Sequence, residues 1–341
     1  MAEIPLLRTS ERQTFKRCPQ KWYWTYVMGL RPKRFRPALL FGDLVHQSLA
    51  IYYKPGRKRG PKPARTFERL YMKHVDEHGK KYVRDLEGDD RVEMGELGIE
   101  ILNNYIAEYG DDDDIEVLFP EFTFKVLLRD VGGKPFWYIG RMDALIRWVS
   151  NDRTGLFEHK TGSEQLKSHL GLDEQAGSYW TFAPRFLRRK RILKKNEDID
   201  MILYNFMRKV KADDRPKDKE GRSLNMDGSV SKRQPTPRFE RIPVFRDVDD
   251  RITLEKRVRQ ERFIIRMAED KKIPIVKNPT KDCSWDCQFV EMCELHETRS
   301  YYQDFMRDQF TSDNDPYEDY KGKEVNVWRP ERPASQRKSS R

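Results

Sequence analysis

Between Phe136 and Lys160 the chain reads FWYIGRMDALIRWVSNDRTGLFEHK, two runs of β-branched and aromatic residues on either side of a polar turn. The pattern predicts the two antiparallel strands of a hairpin, and the only acidic side chains inside the runs are Asp143 and Glu158. Successive side chains of a strand point to opposite faces, so Glu158 and Lys160 must share one face while Phe157 and His159 share the other. A carboxylate such as Asp143 within the apolar segment Met142 to Trp148 is costly to bury unless a cation or hydrogen bonds compensate it. A divalent metal ion is a suitable partner, because hard cations such as Mg²⁺ take oxygen ligands and two carboxylates plus a substrate phosphate make a plausible shell. The chemistry would then be metal-assisted hydrolysis of a phosphodiester, with Lys160 orienting or deprotonating the attacking water. The same residues also describe an ordinary amphipathic hairpin with a structural ion pair, so other stretches must decide.

The surroundings read as an α/β architecture. Further strands are predicted over 116–128 and 200–208, with a short one in RIPVFRD, and a helix over 173–186 carries Gln175 and Tyr179 four apart on one face. Upstream, Ser10 and Gln13 give a capping-box pattern, Phe15, Cys18, Trp22 and Tyr26 recur at helical spacing, and Pro19 resets the helix. A second helix begins near Phe41 and carries Gly42 and His46, and residues 70–109 read as helical. Asp111 to Asp114 break that pattern and read as a solvated acidic loop. Residues 209–238 hold too few apolar side chains for a core of their own, which leaves a flexible insertion or an arm ordered by DNA. A charged helix over 248–270 follows, and beyond Tyr301 an acidic and then basic tail is expected to be disordered. The expected divisions are therefore 1–115 (helical), 116–247 (the α/β core with its insertion), 248–300 (helix and cysteines) and 301–341 (tail).

Charge bears on the partner. A formal net charge of +11 favours a polyanion such as nucleic acid. The basic run RFLRRKRILKK, with Arg188 and Arg189, offers phosphate contacts. No stretch approaches the roughly 18 consecutive apolar residues of a membrane span, and MAEIPLLRTSERQ lacks the order of a signal peptide, so a soluble cytoplasmic protein is expected. Four cysteines are too few for a disulfide scaffold in 341 residues. Cys283, Cys287 and Cys293 form a C-x3-C-x5-C group, with Cys18 at the other end of the chain. Four thiolates can hold a 4Fe-4S cluster or a tetrahedral zinc, and spacing alone does not choose.

Taken in order, Gly42 to His46 in FGDLVHQSL, Gly140-Arg141-Met142-Asp143, Glu158-His159-Lys160-Thr161-Gly162, and Gln175 with Tyr179 in DEQAGSYW resemble the motifs of the PD-(D/E)XK nuclease superfamily, specifically its RecB-like branch. With cysteines at both ends, the likeness extends to iron-sulfur members of that branch, which include helicase-nuclease subunits, CRISPR adaptation nucleases and phage exonucleases. It spans Cys18 to Cys293, although three residues separate Cys283 from Cys287 where two are usual in several relatives. The resemblance implies a restriction-endonuclease-like core, a central mixed sheet flanked by helices, whose N- and C-terminal helical elements are tied by a 4Fe-4S cluster or, as the less favoured occupant, zinc. It implies that Asp143 and Glu158 bind Mg²⁺ or Mn²⁺ together with His46 and the backbone carbonyl of His159, and that Lys160 positions or activates water. Gln175 and Tyr179 would then approach the DNA backbone, with Arg141, Arg188 and Arg189 as further DNA contacts. The implied activity is that of a DNA exonuclease in phage recombination, replication or end processing. The resemblance also leaves room for a recombination or single-strand-binding partner and for a homo-oligomer. Two alternatives stand beside it: a CRISPR adaptation-type nuclease that trims DNA with an integrase partner, and a non-catalytic DNA-binding module on the same fold.

Overall fold

In the computed structural model, residues 3–33, 37–78, 94–164, 167–321 and 326–328 are described. The N-terminal part runs β1 (Leu6–Leu7), α1 (Thr9–Arg17), α2 (Pro19–Trp22), a π-helical turn (Tyr23–Val27), β2 (Arg31–Pro32), α3 (Pro37–Tyr52), α4 (Pro63–His78) and α5 (Met94–Tyr109). The central part runs β3 (Ile115–Arg129), β4 (Pro135–Trp148), β5 (Thr154–Gly162), α6 (Glu174–Arg189), β6 (Met201–Arg208), β7 (Phe239–Val244) and α7 (Val248–Glu269). The C-terminal part runs α8 (Cys283–Asp286), α9 (Val290–Glu297), α10 (Tyr302–Gln309), β8 (Phe310–Thr311), a 3-10 turn (Glu318–Tyr320) and β9 (Asn326–Trp328). The helical stretch expected over 70–109 is two helices, and part of it, 79–93, lies outside the described residues. No described helix is long and apolar enough to cross a membrane.

The alternating runs become a seven-stranded mixed sheet in the order β7-β6-β5-β4-β3-β9, with β1 pairing parallel to β4. The β3–β4 and β4–β5 pairs are antiparallel hairpins, whereas β5 and β6 are parallel and therefore need a crossover, which contains α6. Alternation then sends side chains to two cores. Phe122, Phe124, Tyr138, Leu156 and Tyr204 pack with α1, α6 and α7 on one face. Ala144, Ile146, Phe157 and Leu203 pack with α3, α4 and α5 on the other. Each of the larger side chains contributes about 1.5–3 kcal/mol through burial, so the two cores fix the register of the sheet between them. The helices thus flank the sheet as expected for the mixed α/β class.

Two expectations are corrected. The acidic run is not simply solvated: Arg241 of β7 grips the Asp112 carboxylate with two bonds of 2.6 and 2.7 Å, and the Asp112 side chain is only 8% exposed. A carboxylate so buried keeps its charge because a guanidinium fork matches it. The segment from Tyr301 to Lys321 is not a disordered tail either. Phe310 joins Trp24, Leu30, Phe289 and Met292 in a third apolar cluster, β8 pairs with β2, and Tyr317 donates a hydrogen bond to Glu11. Tyr302, Phe305, Met306 and Phe310 supply the apolar surface that holds the segment down, while the basic end, 329–341, lies outside the described residues. The polar insertion folds on its own side chains, with Arg215 and Ser223 donating to Asp213 and Gln234 donating to Ser223 and Ser231.

Candidate active site

The site forms where two strands part. The β4–β5 ladder pairs Ala144–Arg147 with Thr154–Phe157 and goes no further, so the backbone of His159 is not paired to β4. Its N–H donates instead to Asp143 Oδ2 at 2.8 Å, which answers the rule that a buried backbone donor must find an acceptor. Asp143 Oδ1 lies 3.1 Å from His46 Nδ1 on α3. Gly42, one turn earlier, lets that helix approach, since a Cβ there would stand 3.2 Å from Thr161 Oγ1. As the period-two reading requires, Glu158 and Lys160 share a face, and Lys160 Nζ donates to Glu158 Oε1 at 2.9 Å. Lys160 also donates to Gln175 Oε1 at 3.2 Å, and the Gln175 amide donates to the Tyr179 hydroxyl at 3.1 Å. Gly140 leaves the space that the Tyr179 ring occupies: a Cβ would stand 2.7 Å from it. These groups line a cleft of about 360 Å³.

Burial and charge set the protonation states. Burial raises the Asp143 carboxyl, but His46 and the His159 N–H outweigh it and hold Asp143 well below the usual carboxylate range. Glu158 goes the other way: burial first, with the neighbouring charge of Asp143, pushes it up to about 7 against the pull of Lys160. Burial opposes the charge on Lys160, yet Glu158 and Asp173 keep it above its ordinary value, a fixed ammonium rather than a base. Burial depresses His159 to about 3, so its imidazole is neutral.

A relay that the sequence reading missed stands behind His159. Asn205 Nδ2 donates to His159 Nδ1 at 2.8 Å and to the Tyr105 hydroxyl at 3.1 Å, while its Oδ1 accepts from Arg241 Nε at 3.3 Å. Arg241 ties this amide to Asp112 and donates to the hydroxyls of Tyr53 and Tyr105. The one signal available was Asn205 itself, an amide inside the otherwise apolar strand MILYNFM, fully buried and therefore in need of partners.

The donor chemistry of the site fits a hard divalent cation. Glu158 Oε2 is buried without a hydrogen-bond partner among the described residues, and an ionised oxygen left so is stabilised by a cation. The four thiols are unpaired and share one neighbourhood: burial raises Cys293, Lys277 lowers it, and Cys18, Cys287 and Cys283 all raise it further. Cys18 accepts from Lys21 N at 3.5 Å, Cys283 accepts from Thr280 N at 3.4 Å, and Cys287 and Cys293 pack on the third apolar cluster. Among the described residues, no group of three or more His, Cys, Asp or Glu side chains stands at spacing that would hold a metal ion.

Of the residues singled out from the sequence, His46, Arg141, Asp143, Glu158, His159, Lys160, Gln175 and Tyr179 line this one cleft. Arg188 and Arg189 do not. They sit at the other end of α6, about 20 Å from Gln175 at a helical rise of about 1.5 Å per residue, and Arg188 is engaged by the Glu197 carbonyl and the Asp198 carboxylate. The cleft also receives Arg8, Asp319 and Tyr320, which carried no motif and come from the two ends of the chain. In comparisons with known proteins, a family model described as the PD-(D/E)XK nuclease superfamily matches residues 9–294. A search of curated proteins finds no match.

Proposed function

The chain belongs to the PD-(D/E)XK nuclease superfamily, and from that premise we propose that it is a metal-dependent DNA exonuclease acting on free ends or single strands. The observation that carries the reading is convergence: His46, Asp143, Glu158 and Lys160, from separate stretches of the chain, meet in one cleft. Asp143, Glu158, His46 and the His159 carbonyl are the groups that would hold Mg²⁺ or Mn²⁺. When bound, the ion supplies Lewis-acid polarisation of the phosphate under attack. Lys160, kept cationic by Glu158 and Asp173, orients water and balances charge on the phosphate, which narrows its expected role to positioning. Gln175 couples Lys160 to Tyr179, so the two hydrogen bonds aim the ammonium and the phenol together at the strand.

The exonuclease form and a setting in cytoplasmic phage DNA recombination, replication or end processing rest on the order of the motifs and the cysteine frame. We read Cys18, Cys283, Cys287 and Cys293 as ligands of a structural 4Fe-4S cluster, with zinc as the less favoured occupant. A CRISPR adaptation-type nuclease with an integrase partner would use the same residues, and its mark would be co-purification with that integrase. End-labelled single- and double-stranded DNA, incubated with Mg²⁺, Mn²⁺ or EDTA, tests the reading. Cleavage should need the metal and fall at least about a hundredfold in Glu158→Ala and Lys160→Ala. Cleavage that ignores both EDTA and the substitutions would mean that the site is not catalytic.

A further inference from the structure

One wall of the cleft sets a motif residue, Arg141, beside three residues that carry no motif. Arg8 precedes α1, Arg141 lies on β4, and Asp319 and Tyr320 belong to the 3-10 turn near the other end of the chain. The Arg8 guanidinium stands 5.6 Å from the Tyr26 ring centre, 5.3 Å from that of Tyr317 and 5.9 Å from that of Tyr320. Three aromatic faces hold it in place by cation–π attraction. Tyr317 is itself anchored on Glu11, so the clamp joins both ends of the chain.

This cation is rigid and poorly neutralised. Its ion pair with Asp319 is 3.6 Å long, and the Asp319 side chain is 67% exposed. Arg141 has a similar rim partner, Glu121, at 3.4 Å. Such exposed pairs contribute little and exchange readily with a competing anion. Arg8 Nε is moreover buried without an acceptor among the described residues. The Tyr320 hydroxyl lies in the field of both guanidiniums. A planar fork of donors whose long pair with Asp319 is readily displaced matches the geometry of a phosphate.

We propose that Arg8, Arg141 and Tyr320 form a phosphate subsite that holds a phosphate of the substrate strand beside the one being cleaved, with the turn Glu318–Tyr320 as its wall. The proposal rests on the DNA-hydrolase reading. It is tested with the full chain on single-stranded oligonucleotides that carry one uncharged methylphosphonate at successive positions around the cleavage point. One position next to the cut should raise KM about tenfold in the unsubstituted chain, the loss expected for one charge-assisted contact. Arg141→Gln and Tyr320→Phe should raise KM by a similar factor on unmodified DNA, with kcat less affected. In Arg8→Gln the same methylphosphonate should add clearly less than it does in the unsubstituted chain, because one of the contacts to that phosphate is already gone. A merely structural Arg8 would instead lower the melting temperature and leave the methylphosphonate effect intact. Unchanged KM in Arg141→Gln and Tyr320→Phe, or methylphosphonate effects that add to each substitution, overturns the subsite alone. Absence of any cleavage by the unsubstituted chain overturns the nuclease reading and the subsite with it.

Discussion

Arg241→Met removes the cation at the centre of the relay behind His159 while keeping an unbranched apolar stem. Arg241 is 16% exposed and Asp112 8%, so solvent screens little of their attraction. The substitution strands the Asp112 carboxylate, which keeps the Tyr53 hydroxyl as a donor, and it deprives Asn205 of the group that orients its amide. It also removes the cation 3.7 Å from the Tyr109 ring centre. Removing one partner of a buried pair costs about 3–5 kcal/mol, and for a chain of this size that corresponds to a fall of roughly 4–7 °C in Tm. Urea unfolding of the metal-free chain, followed by circular dichroism, measures it. Asp112→Leu should show a loss of similar size, and the double variant Arg241→Met/Asp112→Leu should recover at least about 2 kcal/mol relative to the sum of the singles. A cost below about 1 kcal/mol for Arg241→Met, or strict additivity in the double variant, would refute the claim that this pair organises the back of the site.

In the metal-free protein, Glu158, raised to about 7 from 4.5, holds a proton when folded that the unfolded chain has released, so across that window its contribution makes stability fall as pH rises. Glu158→Gln should abolish that slope in a series of melting curves, and an unaltered slope contradicts the assignment. His159, depressed to about 3 from 6.5, contributes stability above the higher value that is lost as pH falls toward the lower, so His159→Gln should flatten the acid limb of the same curves. Gly140→Ala places a methyl carbon 2.7 Å from the Tyr179 ring and 2.9 Å from that of Phe124. Tyr179 must then move off Gln175, and nuclease activity should fall by about a hundredfold with secondary structure retained. Activity within twofold of the parent would show that Tyr179 is not positioned by that space. Cys18→Ser and Cys283→Ser should each lose bound metal and visible absorbance and should melt earlier; unchanged metal content and melting in both would remove the cluster proposal.

The strands were legible because alternation is a local property. The run from Phe136 to Trp148 falls within one residue of β4, and the shared face of Glu158 and Lys160 follows from parity alone. What escaped the sequence depends on partners far away. Asp112 looked like one of four mutually repelling carboxylates because Arg241, which neutralises it, lies 129 positions downstream. The segment after Tyr301 looked disordered because acidic residues dominate it, while its few aromatic anchors meet surfaces supplied by residues 11–30. Arg188 stands in a basic run that carries no sign of its pairing with the Asp198 carboxylate. The parting of β4 from β5, which creates the pocket for Asp143, has no sequence mark apart from the carboxylate itself.

The clamp around Arg8 also has an order in time. A ribosome delivers about 5–20 residues per second, so the strands bearing Asp143 and Glu158 emerge on the order of ten seconds before Tyr317 and Tyr320. Until those two rings arrive, Arg8 has only the Tyr26 ring of the three aromatic faces that surround it. Translation itself thus sets this guanidinium in its place only after the strands that carry Asp143 and Glu158 have been made.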